Sequence, residues 1–281
     1  MASGQIRMTP DTMRGRAGEY RTEAENVQNV IDKMDRLLDT LLTEWEGAAS
    51  EAYANKFAEL RPSFVKGKEL IDDIAMALDK TAEAVDQGLI HGTSGNIAMR
   101  DDEDDVIAIT PSGISYTGMK PEDIAIVDLN GKWIDGPYKP SSEVPMHTAV
   151  MRARPDVKAT VHTHSMYATI MAMGENPELK PITPPQCEFT PVGIVSFTMP
   201  GSNDVADKVV EALGEKGRAC LIKNHGMFTC GKDMKAAMHA TIYTEEMAQT
   251  TYLAKVLGTY EPMPEEADKA MKALIAADQA V

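Results

Sequence analysis

Apolar residues in the first third of the chain return every third or fourth position. Val27, Ile31, Met34, Leu38 and Leu41 form one stripe, the period of a helix that buries a single face. Past Trp45-Glu46-Gly47 a second stripe takes in Phe57, Leu60, Phe64, Ile71, Ile74, Leu78 and Val85. Pro10-Asp11 puts an acidic residue ahead of the first stripe, where a helix N-terminus favours one. Pro62 is expected to kink or interrupt the second helix. Two such helices about a turn make an all-α antiparallel hairpin over residues 1–86. Its apolar surface exceeds what one hairpin can bury, so the stripe width predicts a dimer or another partner.

From residue 87 the pattern changes. Val106-Ile107-Ala108-Ile109-Thr110 and Ile124 to Leu129 read as strands, and Asn130-Gly131 marks a hairpin turn before Lys132-Trp133-Ile134. Helices are expected after Glu143, over 165–173, over 203–214 and over a long span at 233–257. Cys220-Leu221-Ile222 and Met227-Phe228-Thr229 read as paired strands on either side of His225. Mixed strands with interspersed helices predict an α/β layered domain over 87–281. No glycine- or proline-rich linker separates the two textures, because the helical pattern from Leu70 to Val85 runs directly into Gly88-Leu89-Ile90-His91-Gly92. The second hairpin helix is therefore expected to serve also as the first helix of the following domain, fixing the two rigidly. A join inside one helix points to a deliberate, engineered fusion.

Composition narrows the class. Apolar residues make up 43% of the 281-residue chain, enough for a sizeable core. The balance of 28 basic and 43 acidic residues gives a net charge of -15, which argues against a nucleic-acid binder or an anionic-membrane binder. It leaves room for a local anion site built from backbone amides and a metal. Cys187, Cys220 and Cys230 are odd in number and form no CxxC pair, so they read as reduced thiols in a cytoplasmic protein. No stretch has the length and apolarity of a transmembrane helix or an export signal.

Chemistry concentrates at a few places in the second half. His162 and His164 are two apart in a stretch that reads as a strand, where alternate side chains share a face. His225 follows at a turn, and Glu143 in Pro140-Ser141-Ser142-Glu143 could act beside them as a base. Three imidazoles with a fourth position open suit a catalytic zinc or another divalent transition metal. His91, His147 and His239 read as structural or supporting. Thr93-Ser94-Gly95-Asn96, Thr110-Pro111-Ser112-Gly113 and Ser141-Ser142 are clusters of small hydroxyl and glycine residues, which let backbone amides approach an anion closely. Together with the histidines they point to a phosphate pocket.

Residues 5–86, with Gln5-Ile6-Arg7-Met8-Thr9-Pro10 and the central Trp45-Glu46-Gly47, resemble the Trp-Xaa-Gly helical-hairpin substrates of bacterial type VII secretion. Those proteins carry a short tyrosine- and acid-containing export tail, whereas this chain continues into another domain. Residues 87 to about 258 resemble the class II aldolase/adducin family, nearest in pattern to L-fuculose-phosphate aldolases. The matching blocks are Gly92 to Asn96, Thr110 to Gly113, Pro140 to Glu143, Val161 to His164 and Asn224-His225-Gly226, in the family's order. The resemblance implies an α/β/α sandwich around a mixed sheet, commonly a four-fold tetramer. It also implies zinc on His162, His164 and His225, an acid/base role for Glu143, and phosphate binding by Thr93, Asn96, Ser112, Gly113, Ser141 and Ser142. The implied reaction is zinc-dependent cleavage of a phosphorylated ketose to dihydroxyacetone phosphate and an aldehyde through an enediolate. A tyrosine supplied by a neighbouring subunit in that family has no counterpart in Pro181 to Glu188, nor in the alanine-rich tail beyond Tyr260.

Three other readings compete. An L-ribulose-5-phosphate 4-epimerase would share scaffold and metal set, but that pattern tends to have aspartate where this chain has Glu143. A non-catalytic adducin-like scaffold would lack the metal histidines, and all three are present. The third is an assembly device, in which a dimerising hairpin joined to a tetramerising domain generates a cage or array.

Overall fold

The computed structural model describes residues 10–45, 47–90, 93–101, 105–116, 119, 121–174 and 177–278. Glu46, His91, Gly92 and the stretch from Gln5 to Thr9 lie outside the described residues. Two compact units emerge, Arg7–Glu83 and Ala84–Val281, and the division falls inside the second helix.

The first unit is a pair of long helices, α1 (Pro10–Glu44) and α2 (Ala48–Asp86). Two ion pairs fix their direction: Arg61 grips the Asp35 carboxylate through two nitrogens, at 2.9 and 2.8 Å, and Arg21 meets Asp79. One partner's number falls as the other's rises, which is the signature of an antiparallel hairpin. The α1 stripe lies inward as expected, with Ile31 buried and Val27, Met34, Leu38 and Leu41 half-buried. It extends toward the N-terminus through Met13, Ala17 and Ala24, all buried. The α2 stripe fares differently. Phe57 and Ile71 are half-buried, but Leu60 and Phe64 are 48% and 41% exposed, so the inward face there is narrower than the apolar pattern. Ile74 and Leu78 have side chains outside the described set. Pro62 does not interrupt the helix: α2 runs through it unbroken. The segment is exposed, so water can satisfy the carbonyl that the proline leaves without a donor.

The second unit carries one eight-stranded sheet in the order β4-β3-β2-β1-β5-β8-β7-β6. Its strands are β1 (Asn96–Arg100), β2 (Val106–Ile109), β3 (Ala125–Asp128), β4 (Trp133–Asp135), β5 (Ala159–Thr163), β6 (Gly193–Val195), β7 (Ala219–Ile222) and β8 (Gly226–Gly231). All neighbours pair antiparallel except β6 and β7, which are parallel. The helices are α3 (Val144–Ala153), α4 (Met166–Ala172), α5 (Asn203–Leu213), α6 (Met234–Leu257) and α7 (Glu265–Asp278). Strand alternation decides which layer each covers. Cys220, Ile222, Phe228 and Cys230 pack with Val150 of α3 and Val209 of α5, whereas Leu221 and Met227 pack with Ala168 of α4 and Met247 of α6. The result is a three-layer α/β/α sandwich on a mixed sheet, the fold class expected from the sequence. Ser202 and Asp233 cap α5 and α6 by accepting backbone N–H bonds from Val205 and Ala236.

The three cysteines are buried and unpaired. Among the described residues, no helix is long and apolar enough to cross a membrane.

Candidate metal centre

Three structural positions deliver the histidines to one point. His162 is the fourth residue of β5 and fully buried, and His164 lies just past the end of that strand. His225 sits in the tight turn between β7 and β8, where its N–H donates to the Ile222 carbonyl at 3.1 Å. That turn needs a residue with positive φ, and Asn224 takes it at φ 56°, a conformation asparagine tolerates better than most. Glycine at 226 is equally required, since a Cβ there would collide with the Thr163 carbonyl beside His164. The Asn-His-Gly run is thus a geometric device for bringing a hairpin tip against the end of β5.

The imidazoles form a triangle with ring centroids 4.7 to 5.1 Å apart, and one nitrogen from each lies within 4.8 Å of the others. His162 Nδ1 donates to the Met227 carbonyl at 2.8 Å. That bond fixes the tautomer and leaves Nε2 as a lone pair, 3.1 Å from His164 Nε2. Two facing imidazole nitrogens need an N–H or a cation between them. Burial disfavours charging these rings to imidazolium. It drives His162 well below the usual imidazole range, assisted by the neighbouring His225 and His164, lowers His164, and brings His225 down to about 4. A tetrahedral site with metal–nitrogen bonds of about 2.0–2.1 Å separates its nitrogens by about 3.3 Å. The donor set therefore fits a divalent transition metal.

Glu143 stands at the edge of this cluster, immediately before α3. Its Oε1 is 4.0 Å from His225 Nε2, too far for a hydrogen bond, and Oε2 is buried with no partner among the described residues. Burial raises its carboxyl above the usual range, opposed by a backbone N–H bond from Gly201. A buried acceptor left unpaired is costly and marks a group built for a ligand or a proton. Gly201, in the loop between β6 and α5, has φ +73°, and a Cβ there would lie 2.7 Å from the Ser142 carbonyl. Sequence reading missed this residue; its only signal was Pro200-Gly201 between two elements.

Five of the six residues expected at a phosphate come together. Ile97 and Thr110 exchange backbone contacts, with Thr110 N–H donating to the Ile97 carbonyl and Thr110 Oγ1 accepting from Ile97 N–H. Pro111 and Pro140 form an isolated bridge, Ser112 N–H donates to the Lys139 carbonyl, and Ser141 N–H donates to the Thr110 carbonyl. Asn96, Ser112, Gly113, Ser141 and Ser142 therefore belong to three adjoining strand ends. Tyr116 crosslinks two of them, its hydroxyl donating to the Gly95 carbonyl at 3.0 Å and lying 3.2 Å from Thr110 Oγ1. Thr93 is exposed in the turn before β1, and its place beside the others rests on chain connectivity alone. His147 is fully buried and bonded through both ring nitrogens. His239 packs edge-on to Tyr243, which stacks on Phe189, while Tyr167 packs on Tyr252. These tyrosines are used in packing.

Comparison with known proteins agrees with both halves of the sequence reading. Residues 78–252 match the family model described as Class II Aldolase and Adducin N-terminal domain, and residues 5–88 match the one described as Proteins of 100 residues with WXG. The two stretches overlap over 78–88, the last turns of α2 and just beyond. A 5-deoxy-D-ribulose 1-phosphate aldolase of Bacillus thuringiensis is 36% identical over 65% of this chain and 85% of its own length. An L-fuculose phosphate aldolase of Methanococcus maripaludis is 37% identical over 60% of this chain and 89% of its own. An L-ribulose-5-phosphate 4-epimerase of Salmonella paratyphi B is 29% identical over 60% and 78%. Among solved structures, an L-fuculose 1-phosphate aldolase superposes with a TM-score of 0.65 at 29% identity, covering 70% of this chain and 92% of that one.

Proposed function

The chain belongs to the class II aldolase and adducin family, and on that footing we propose that residues 87–281 form a metal-dependent aldehyde-lyase that cleaves a phosphorylated ketose. Residues 1–86 are the Trp-Xaa-Gly hairpin, read as a dimerisation module. The observation that carries the catalytic reading is Glu143: a buried carboxylate with one oxygen unpartnered, standing 4.0 Å from a histidine of the metal cluster. A scaffold without chemistry has no need of such a group.

His162, His164 and His225 would hold the metal, zinc by its preference for nitrogen donors at four-coordinate sites. When bound there, a divalent metal supplies Lewis acidity toward the carbonyl and hydroxyl oxygens of the sugar. Asn96, Ser112, Gly113, Ser141 and Ser142, with Thr93 at the rim, hold the phosphate and so orient the carbons to be parted. In the cleavage direction the C4 hydroxyl loses its proton to solvent as the C3–C4 bond breaks and the aldehyde forms, and protonated Glu143 delivers a proton to C3 of the dihydroxyacetone phosphate left behind; in condensation the aldehyde oxygen takes up a proton and Glu143 removes the one on C3. Its raised affinity for a proton suits a group that must hold one between steps. Burial around it keeps bulk water from taking over the transfer.

The test is direct. Zinc-loaded protein is incubated separately with L-fuculose 1-phosphate, 5-deoxy-D-ribulose 1-phosphate and L-ribulose 5-phosphate, with dihydroxyacetone phosphate followed by a coupled NADH assay and the remaining sugars by chromatography. Dihydroxyacetone phosphate from either 1-phosphate supports the lyase. Epimerisation of L-ribulose 5-phosphate with no cleavage of any sugar transfers the chain to the epimerase reading, which the Salmonella relative keeps in play. Dimer contacts through the hairpin and four-fold contacts through the catalytic domain predict an assembly larger than a tetramer, and a native mass of four chains or fewer would refute that part.

A further inference from the structure

His147 lies on α3, one turn after Glu143, and is wholly inaccessible to solvent. Its Nε2 is 2.5 Å from Asn96 Oδ1 and its Nδ1 is 2.5 Å from Thr160 Oγ1. A carboxamide oxygen can only accept, so the ring hydrogen must sit on Nε2. Nδ1 is then a lone pair, and the Thr160 hydroxyl donates to it. This chain of bonds holds the Asn96 carboxamide by its oxygen. The Nδ2 group at its other end donates to nothing among the described residues and is not one of the sealed polar atoms. Asn96 itself pairs with His162 across the β1–β5 ladder and is joined through Ile97 to Thr110, whose loop carries Ser112 and Gly113.

We propose that His147 is a positioning residue for anion binding: by donating to Asn96 Oδ1 it turns the asparagine's NH2 toward the phosphate-holding loops. Without that donor the carboxamide can rotate by half a turn. A lone-pair oxygen would then face the phosphate, and one attraction would become a repulsion. His147 thus decides whether the same residue presents a donor or an acceptor to the ligand, while touching no ligand itself. The inference rests on the proposed function for the identity of the ligand, but not for the bond pattern.

Two measurements test it. In full-length protein labelled with 15N at histidine, solid-state NMR reads the tautomer of His147 directly. Hydrogen on Nε2 with bare Nδ1 is expected; hydrogen on Nδ1 overturns the proposal, because Asn96 would then have to offer its NH2 to the ring. In the second, binding of inorganic phosphate is measured by calorimetry, and turnover of L-fuculose 1-phosphate by the coupled assay. His147→Asn removes the Nε2 donor and is expected to weaken phosphate binding and raise KM about tenfold, the scale of one hydrogen bond to a charged group, with kcat and bound zinc little changed. His147→Gln, which restores an N–H near the Nε2 position, is expected to recover most of the loss. Unchanged phosphate affinity in His147→Asn, or equal losses in both variants, reduces His147 to a packing residue. Should His147→Asn fail to fold, the tautomer decides. Wild-type protein that binds phosphate but cleaves no sugar phosphate sinks the proposed function and leaves this inference standing on the affinities. Wild-type protein that binds no phosphate sinks this one.

Discussion

Glu143→Gln separates chemistry from architecture at the candidate site. The substitution keeps the shape of the side chain and an oxygen to accept the Gly201 N–H, and it removes only the capacity to take a proton. A positioned general acid or base contributes about 10²–10⁴ in rate, or about 2.7–5.5 kcal/mol of barrier, and kcat is expected to fall by that factor. Stability should move the other way. Burial raises the folded-state pKa of Glu143 above its unfolded value, so the ionised carboxylate opposes folding at neutral pH. That penalty is present above the folded pKa and disappears as pH falls to the unfolded value, about 4.3. Metal-free Glu143→Gln should therefore melt above metal-free wild type at pH 7, and the gap should close toward pH 4. Zinc content by mass spectrometry, coupled turnover and thermal melts across that range make up the assay. Undiminished turnover with bound zinc would refute the acid/base role; a variant less stable than wild type at pH 7 would refute the account of its burial.

Three further outcomes follow from the same geometry. His162→Ala should lose stoichiometric zinc and with it turnover, whereas wild type should retain metal as pH falls below 6, because protons compete poorly for imidazoles whose affinity for them burial has lowered; dialysis followed by metal analysis reads both. Gly201→Ala places a Cβ 2.7 Å from the Ser142 carbonyl at φ +73°, so it should destabilise the fold by about 1–3 kcal/mol in urea titrations and lower kcat by shifting the N–H that holds Glu143. Phe228→Ala empties a fully buried site against the His147 ring, with centroids 5.2 Å apart. It should cost about 3–5 kcal/mol in the same titrations.

What could be read from the sequence was whatever periodicity or motif expresses locally. The α1 stripe from Val27 to Leu41, the Asn130-Gly131 hairpin and the strands around His225 all rest on short-range rules, and the structure places them accordingly. Leu60 and Phe64 carried the same helical period yet lie exposed, because period alone does not say how wide a face the neighbouring helix covers. Pro62 was expected to kink or interrupt α2, and the helix is not interrupted there, since exposure removes most of the cost of its missing bond. The short parallel strand β6 and helix α7 had no periodic signal strong enough to separate them from loop. At the site, the three histidines and Glu143 were recoverable as residue types in order. Gly201 was not, and His147 was legible only as structural or supporting, because their bonds run to residues distant in sequence and become visible only through the packing of α3 and the β6–α5 loop against the sheet.

The pairing of Asn96 with His162 carries one more consequence. Antiparallel neighbours stand about 4.5–5.5 Å apart, so on the proposed reading the gap between the phosphate anchor and the metal is set by two strands rather than by side-chain length. The sheet then works as a gauge of how far a substrate's phosphate lies from the carbon that reacts. Side-chain replacement at the rim can change which aldehyde leaves, while the spacing of anchor and metal stays with the ladder, because a one-residue slip of register would turn His162 to the wrong face.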